Sequence, residues 1–183
     1  MSTLKVNTIT NVAGNADIGN VGKIIQIKQT VKTSLFSTTT TGNTIDVTGV
    51  SVDITPTSNT SKIFVMCSGY YGNGNDNSFA HLRLASVIGG TEDMHMVRGD
   101  LRDQETRATM GAALRQGGGS SSRVARNFSC HFLHSPQTTS TVTYKLMILV
   151  TQGTPATIGG SSSNSDHNRG SYPTFITAME VSA

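Results

Sequence analysis

Five histidines, two cysteines and eleven carboxylates are the residues through which this chain could do chemistry, and their spacing limits what that chemistry can be. His131 and His134 stand three apart in a segment that reads as a strand. Strand side chains alternate between faces, so the two imidazoles diverge and cannot close on one metal ion. His95 and His167 sit in polar loops beside Glu92, Asp93 and Asp166, a setting of solvated histidines rather than of a tetrahedral zinc centre. Cys130 precedes His131, but adjacent strand positions again point apart, so no thiol–imidazole nucleophile results. No GxSxG elbow occurs. Gly117-Gly118-Gly119 lacks the Lys-Ser/Thr that a phosphate loop requires and reads as a connector. Carboxylates able to cleave a glycan could come only from Glu92, Asp93, Asp100, Asp103 and Glu105. These are interleaved with Arg98, Arg102 and Arg107, which fits a salt-bridged loop or a subunit contact. Arg98-Gly99-Asp100 is a match of the length that arises by chance. The expectation is a non-enzymatic chain with no metal and no cofactor.

What remains is recognition. Tyr70, Tyr71 and Tyr172 flank two polar loops, GNGNDNS (72–78) and SNSDHNRGS (163–171). Tyrosine beside asparagine and serine gives flat apolar contact with adaptable hydrogen bonding, which suits sugars and proteins alike. The candidate receptor-facing residues are therefore Tyr71, Asn73, Asn75, Asp76, Asp166, His167, Asn168, Arg169 and Tyr172. The competing reading is that Tyr70 and Tyr71 only end a core strand.

The elements that must position these loops follow from composition and periodicity. Charged residues are 14% of the chain, against about 25% in an ordinary domain. Threonine is abundant and glycine numbers 19, a balance of strand formers and turn formers that argues for an all-β fold. A chain of 183 residues is long enough to bury a core. The formal charge of +3 is carried by scattered basic residues, which offer nucleic acid no clustered face. No apolar run approaches the roughly 18 residues of a membrane span. The opening Met-Ser-Thr-Leu-Lys is followed by no apolar signal region, so the chain is expected to be made in a cytoplasm. There a disulfide is disfavoured, and Cys67 and Cys130, both in apolar strand contexts, are expected to be buried free thiols.

Residues 45–71 read as a hairpin around the turn TPTSNTS. Its second arm is apolar on both faces, with Ile63, Val65, Cys67 and Tyr71 on one and Phe64, Met66 and Tyr70 on the other. In 23–36, Ile25, Ile27, Val31 and Leu35 are expected to face the core, and Gln26, Lys28, Thr30 and Lys32 the solvent. The apolar phase switches at Gly49, which predicts a bulge. Residues 79–88 read as a strand with Leu82 and Leu84 inward and His81 and Arg83 outward, 108–115 as a short helix weakened by Gly111, and 124–150 as a second hairpin around 135–140. Residues 174–181 read as an apolar terminal strand tucked into a sheet. Six to eight such strands predict an antiparallel β-sandwich, jelly-roll-like, over 23–183. Strands apolar on both faces, 62–71 and 142–150, call for cover on both: a second sheet, and an identical neighbour in a homotrimer with a shared apolar axis.

Residues 1–22 are too few to bury a core and must dock elsewhere through Leu4, Val6, Ile9, Val12 and Ile18: on a partner protein, on symmetry mates, or on the main domain. This start, LKVNTITNVAGNADIGNVGKIIQ, with the later DITPTSNTSKIFVMCSGYYG and the ending FITAMEVSA, resembles small tail-fibre-like and minor structural proteins of tailed phages, especially those infecting cyanobacteria. The resemblance covers most of the chain. It implies a virion component with a trimeric β head, attached to another virion protein by its N-terminal arm and projecting its C-terminal domain toward host surface polysaccharide or protein. The alternatives are a capsid decoration or cement protein and a glycan-cleaving tail spike.

Overall fold

Wherever the apolar–polar alternation is sustained a strand forms, and the strands sort into two sheets by the face each must bury. The computed structural model describes residues 22–73, 77–94, 96–97, 99, 108–115, 125–152, 155–161 and 170–183. The strands are β1 (Ile24–Lys32), β2 (Phe36–Thr38), β3 (Thr44–Ile54), β4 (Lys62–Asn73), β5 (Asn77–Ile88), β6 (Thr91–Asp93), β7 (Met110–Arg115), β8 (Ala125–His134), β9 (Val142–Gln152), β10 (Ala156–Ile158) and β11 (Thr174–Val181). No helix occurs among the described residues.

One sheet runs β1–β11–β4, with β8 on the far edge of β4 and the short β10 and β2 continuing past the end of β11. The other runs β3–β9–β5, with β6 and β7 sharing the far edge of β5. All pairings are antiparallel. The orders 1-11-4-8 and 3-9-5-7 interleave the chain between sheets as two Greek keys, the arrangement of a jelly roll. The expected all-β sandwich is therefore present.

Both expected hairpins are corrected by this topology. β3 and β4 lie in different sheets, as do β8 and β9, so TPTSNTS and SPQTTS cross the sandwich edge instead of closing a ladder. Buried Pro56 has no N–H for a ladder, and Ser61, 2% exposed, is drawn inward. A tight hairpin forms instead at Gly89-Gly90, where φ values of 56° and 82° give the left-handed pair that joins β5 to β6. The helix expected over 108–115 is also corrected: Met110–Arg115 is a strand on the edge of β5. Gly111 lowers helix propensity there, and β5 supplies an open row of backbone partners.

The core joins the inward rows of both sheets. Ile63, Val65, Cys67 and Tyr71 from β4 meet Leu82 and Leu84 from β5 and Val142, Tyr144, Leu146, Ile148 and Val150 from β9. Gly49 adopts φ 83°, and the β3–β9 register shifts between Asp46 and Ser51, so the predicted bulge returns Val50, Val52 and Ile54 to the core. The two faces of β4 divide as expected.

In β1 the faces are the reverse of the expectation. Ile25, Ile27 and Val31 are exposed, whereas Gln26 faces inward. The reason lies on β11: Glu180 is wholly buried opposite Gln26, and its carboxylate accepts hydrogen bonds from Gln26 Nε2 (2.6 Å), Thr57 N (2.7 Å) and Thr57 Oγ1 (2.7 Å). A buried carboxylate must be satisfied, and this requirement sets the phase of β1 against its own apolar residues.

Cys67 and Cys130 are free thiols, as expected, and face each other across the β4–β8 ladder. Burial raises both pKa values, that of Cys67 with a further contribution from Cys130, and that of Cys130 to about 11. Neither thiol should therefore react with iodoacetamide at about pH 8 while the chain is folded, and both should react in denaturant, since only the thiolate attacks. Mass spectrometry of the alkylated chain checks this, and rapid labelling of the folded protein would contradict it.

Candidate functional site

The site begins with the alternation of β4. Tyr71 turns inward and is 1% exposed, so its expected place on the receptor-facing surface is corrected: it is a core residue. Tyr70, one position earlier, turns outward and stacks on Tyr172 with ring centroids 4.1 Å apart and planes 23° from parallel. Both rings are half-buried. Offset stacking of this kind adds about 1 kcal/mol to the area it hides.

Backbone contacts fix the pair. Gly159 N donates to Tyr70 O (2.8 Å), and Tyr172 N donates to Gly159 O (2.7 Å), so one glycine ties β4 to the segment that leads into β11. Gly159 has φ 95°, a conformation that leaves little choice but glycine. Thr157 Oγ1 donates to Gly160 O (2.7 Å), and Gly160 bridges to Ser171. Gly72 lies directly under this turn: a Cβ there would come within 2.6 Å of Thr157 Oγ1 and 2.9 Å of Ser161 Cα. Nearby, Thr174 Oγ1 is buried and has no hydrogen-bond partner among the described residues.

These contacts bring the ends of three stretches to one end of the sandwich. Residues 74–76 join the end of β4 to β5. Residues 162–169 leave from Ser161 beside Gly72 and return at Gly170. Residues 116–124 join Arg115, paired with Asn77, to Ala125, paired with Gly72. The two loops singled out from sequence are thus anchored side by side, and a third shares their base. The sequence reading missed the third because GGGSSS carries no recognition chemistry of its own; its place emerges only from pairing. Asn73 closes β4. Asn75, Asp76, Asp166, His167, Asn168 and Arg169 lie outside the described residues, as do Leu4, Val6, Ile9, Val12 and Ile18.

A groove of about 430 Å³ lies at the β3 bulge, lined by Asp46, Thr48, Ser51, Thr143 and Lys145 among others. Lys145 pairs with Asp46 (2.8 Å) and with Glu92. Burial lowers the Lys145 pKa, but hydrogen bonds and charge from both carboxylates outweigh it and hold the ammonium form. Glu92, considered above for glycan cleavage, is committed to this ion pair. Asp100, Asp103 and Glu105 lie outside the described residues. His131 and His134 do face opposite ways. The first rests against Phe64 with centroids 5.9 Å apart, and the second shares a hydrogen bond with Tyr144 OH (2.8 Å) through Nδ1. Among the described residues no three of His, Cys, Asp and Glu are placed to hold a metal ion, and no helix is long and apolar enough to cross a membrane.

No family model and no curated protein matches the chain. Among solved structures it is similar to a chain in the structure of infectious bursal disease virus, Gx strain, with 12% identity and a TM-score of 0.39. The match covers 96% of this chain and 43% of that one, so the chain spans less than half the length of its viral counterpart.

Proposed function

We propose that this chain is a phage virion structural protein, a tail-fibre-like homotrimeric adhesin without enzymatic activity. The observation that carries the reading is the convergence of loop bases around the Tyr70–Tyr172 pair at one end of a jelly roll. A rigid sandwich holds its end loops at fixed separation, and several weak loop contacts multiplied over three copies give firm attachment. Residues 1–22 attach the head to another virion protein through Leu4, Val6, Ile9, Val12 and Ile18. The partner at the opposite end is a host surface polysaccharide or protein, and the low charge of the chain suits the neutral hydroxyl-rich former.

Replacing residues 162–169 by a short Gly-Ser linker should reduce adsorption of particles to host cells at least tenfold while leaving particle assembly unchanged. Normal adsorption by particles that carry the shortened chain would remove the loops from the proposal. Antibody labelling on intact particles distinguishes a tail position from the shell position of a decoration protein.

A further inference from the structure

We infer that the outer face of the β1–β11–β4–β8 sheet is the surface on which this chain packs against a second copy of itself. The inference rests on the self-assembling reading above and names the face that it uses. The two sheets differ in how their outer faces are finished. On the β9 side the outward Met147 and Leu149 are 4% and 8% exposed, beside an Arg83 whose Nη1 reaches Thr44 Oγ1 (2.9 Å) and the Met94 sulfur (3.5 Å). The apolar side chains at the centre of that face are covered by their own chain.

The other face is open. Register places Ile27, Met179, Phe64 and Leu133 side by side in one row across all four strands. Met66 stands two residues along β4 and Val31 four along β1. Of these six, Ile27, Leu133, Met66 and Val31 are 43–56% exposed. Lys62, at the end of β4, is the one charged side chain at the outward ladder positions of this face. Four strands at about 4.8 Å spacing and eight residues at about 3.3 Å give roughly 500 Å² in plan. The accessible area of a corrugated face is larger, which brings it toward the roughly 800 Å² per partner of a stable interface.

The occupant follows from the chemistry of the face. With Lys62 its one charge and the polar Gln29, Thr177, Ser68 and Ser129 beside the apolar row, the face gives a foreign partner almost no charge pattern to read, whereas three copies around a common axis bring the Ile27–Leu133 row of each against its neighbours. Sheets stack face to face about 10 Å apart through just such rows.

Light scattering on the eluting full-length chain at micromolar concentration tests this. The wild type should have a mass that is a multiple of 19.3 kDa. An Ile27→Lys/Leu133→Lys variant should run as a single chain with a cooperative unfolding transition. If that variant does not fold, Ile27→Thr/Leu133→Thr keeps strand-compatible side chains, and self-association should then be at least 100-fold weaker. A folded variant with the wild-type mass would overturn the face assignment and leave self-assembly through another surface standing. A monomeric wild type would overturn both. If removing residues 1–21 then uncovered a dye-binding apolar surface, the occupant would be the chain's own N-terminal segment, which enters beside Ile24 where Gly22 N bonds Ser182 O.

Discussion

Glu180→Ala should lower the unfolding free energy by about 3 kcal/mol, because it removes the acceptor for several buried or half-buried donors at once. The carboxylate joins three elements: β11, which carries it, β1 through Gln26, and the 55–61 crossing through Thr57 and Ser61. Burial alone would raise its pKa. The hydrogen bonds from Gln26, Thr57 and Ser61 outweigh that and hold it at about 2, below the ordinary 4.5. The sign of the pH dependence follows. Between 4.5 and 2 the unfolded chain takes up the proton first, so the stabilisation is complete above 4.5 and drains away as pH falls toward 2. Glu180→Gln sharpens the test. Its amide keeps the shape but turns a donor toward Gln26 or Thr57, so wild type should exceed it by about 2 kcal/mol at neutral pH and by much less near pH 2.5. Urea midpoints for the two chains at both pH values measure this. A gap that is the same at both would mean that the folded carboxylate is not held ionised.

The same carboxylate explains where sequence reasoning succeeded and where it failed. Alternation in β4 and β9, the phase switch at Gly49 and the apolar terminal strand each report one residue's own preference for a face, and each is realised. β1 is different. Its apolar row would choose the core if β1 were alone, but its phase is set by a residue 154 positions away, through the Gln26–Glu180 bond. No window along the chain contains that information. The hairpins failed for a related reason: a strand–turn–strand pattern is the same whether its arms pair in one sheet or cross to the facing one, and the inward faces of β3 and β4 are satisfied by crossing. At the candidate site, composition located the loops beside Tyr70 and Tyr172. It placed Tyr71 rather than Tyr70 on the outer surface, and the choice failed because strand parity relative to a core is decided by the partner sheet. The doubly apolar strands also divide: β9's outward Met147 and Leu149 are covered by their own chain, and β4's outer face is left open.

Gly72→Ala should destabilise the fold by about 3 kcal/mol and, in particles, abolish the loop-dependent share of adsorption. The added methyl would overlap the Gly160 carbonyl oxygen, Thr157 Oγ1 and Ser161 Cα. Two of these are backbone atoms, which cannot rotate aside, so the 157–161 segment must lift from β4. Overpacking of a fixed site costs about 1–3 kcal/mol, and lifting also breaks the pairing of Ala156, Thr157 and Ile158 with Asn73, Gly72 and Tyr71. Ile158 is fully buried, and its release adds the lost burial of an apolar side chain, about 1.5–3 kcal/mol if complete. The functional consequence is geometric: Gly159 holds both Tyr70 and Tyr172, so moving it separates the stacked pair and the bases of 74–76 and 162–169. Gly99→Ala is the control, since a methyl there meets nothing within 4 Å, and its effect should stay within about 0.5 kcal/mol. Unfolding midpoints and a host-binding assay on the two variants separate the cases. Wild-type stability in Gly72→Ala would mean that the 157–161 segment does not lie against β4, and the shared base of the recognition loops would be lost with it.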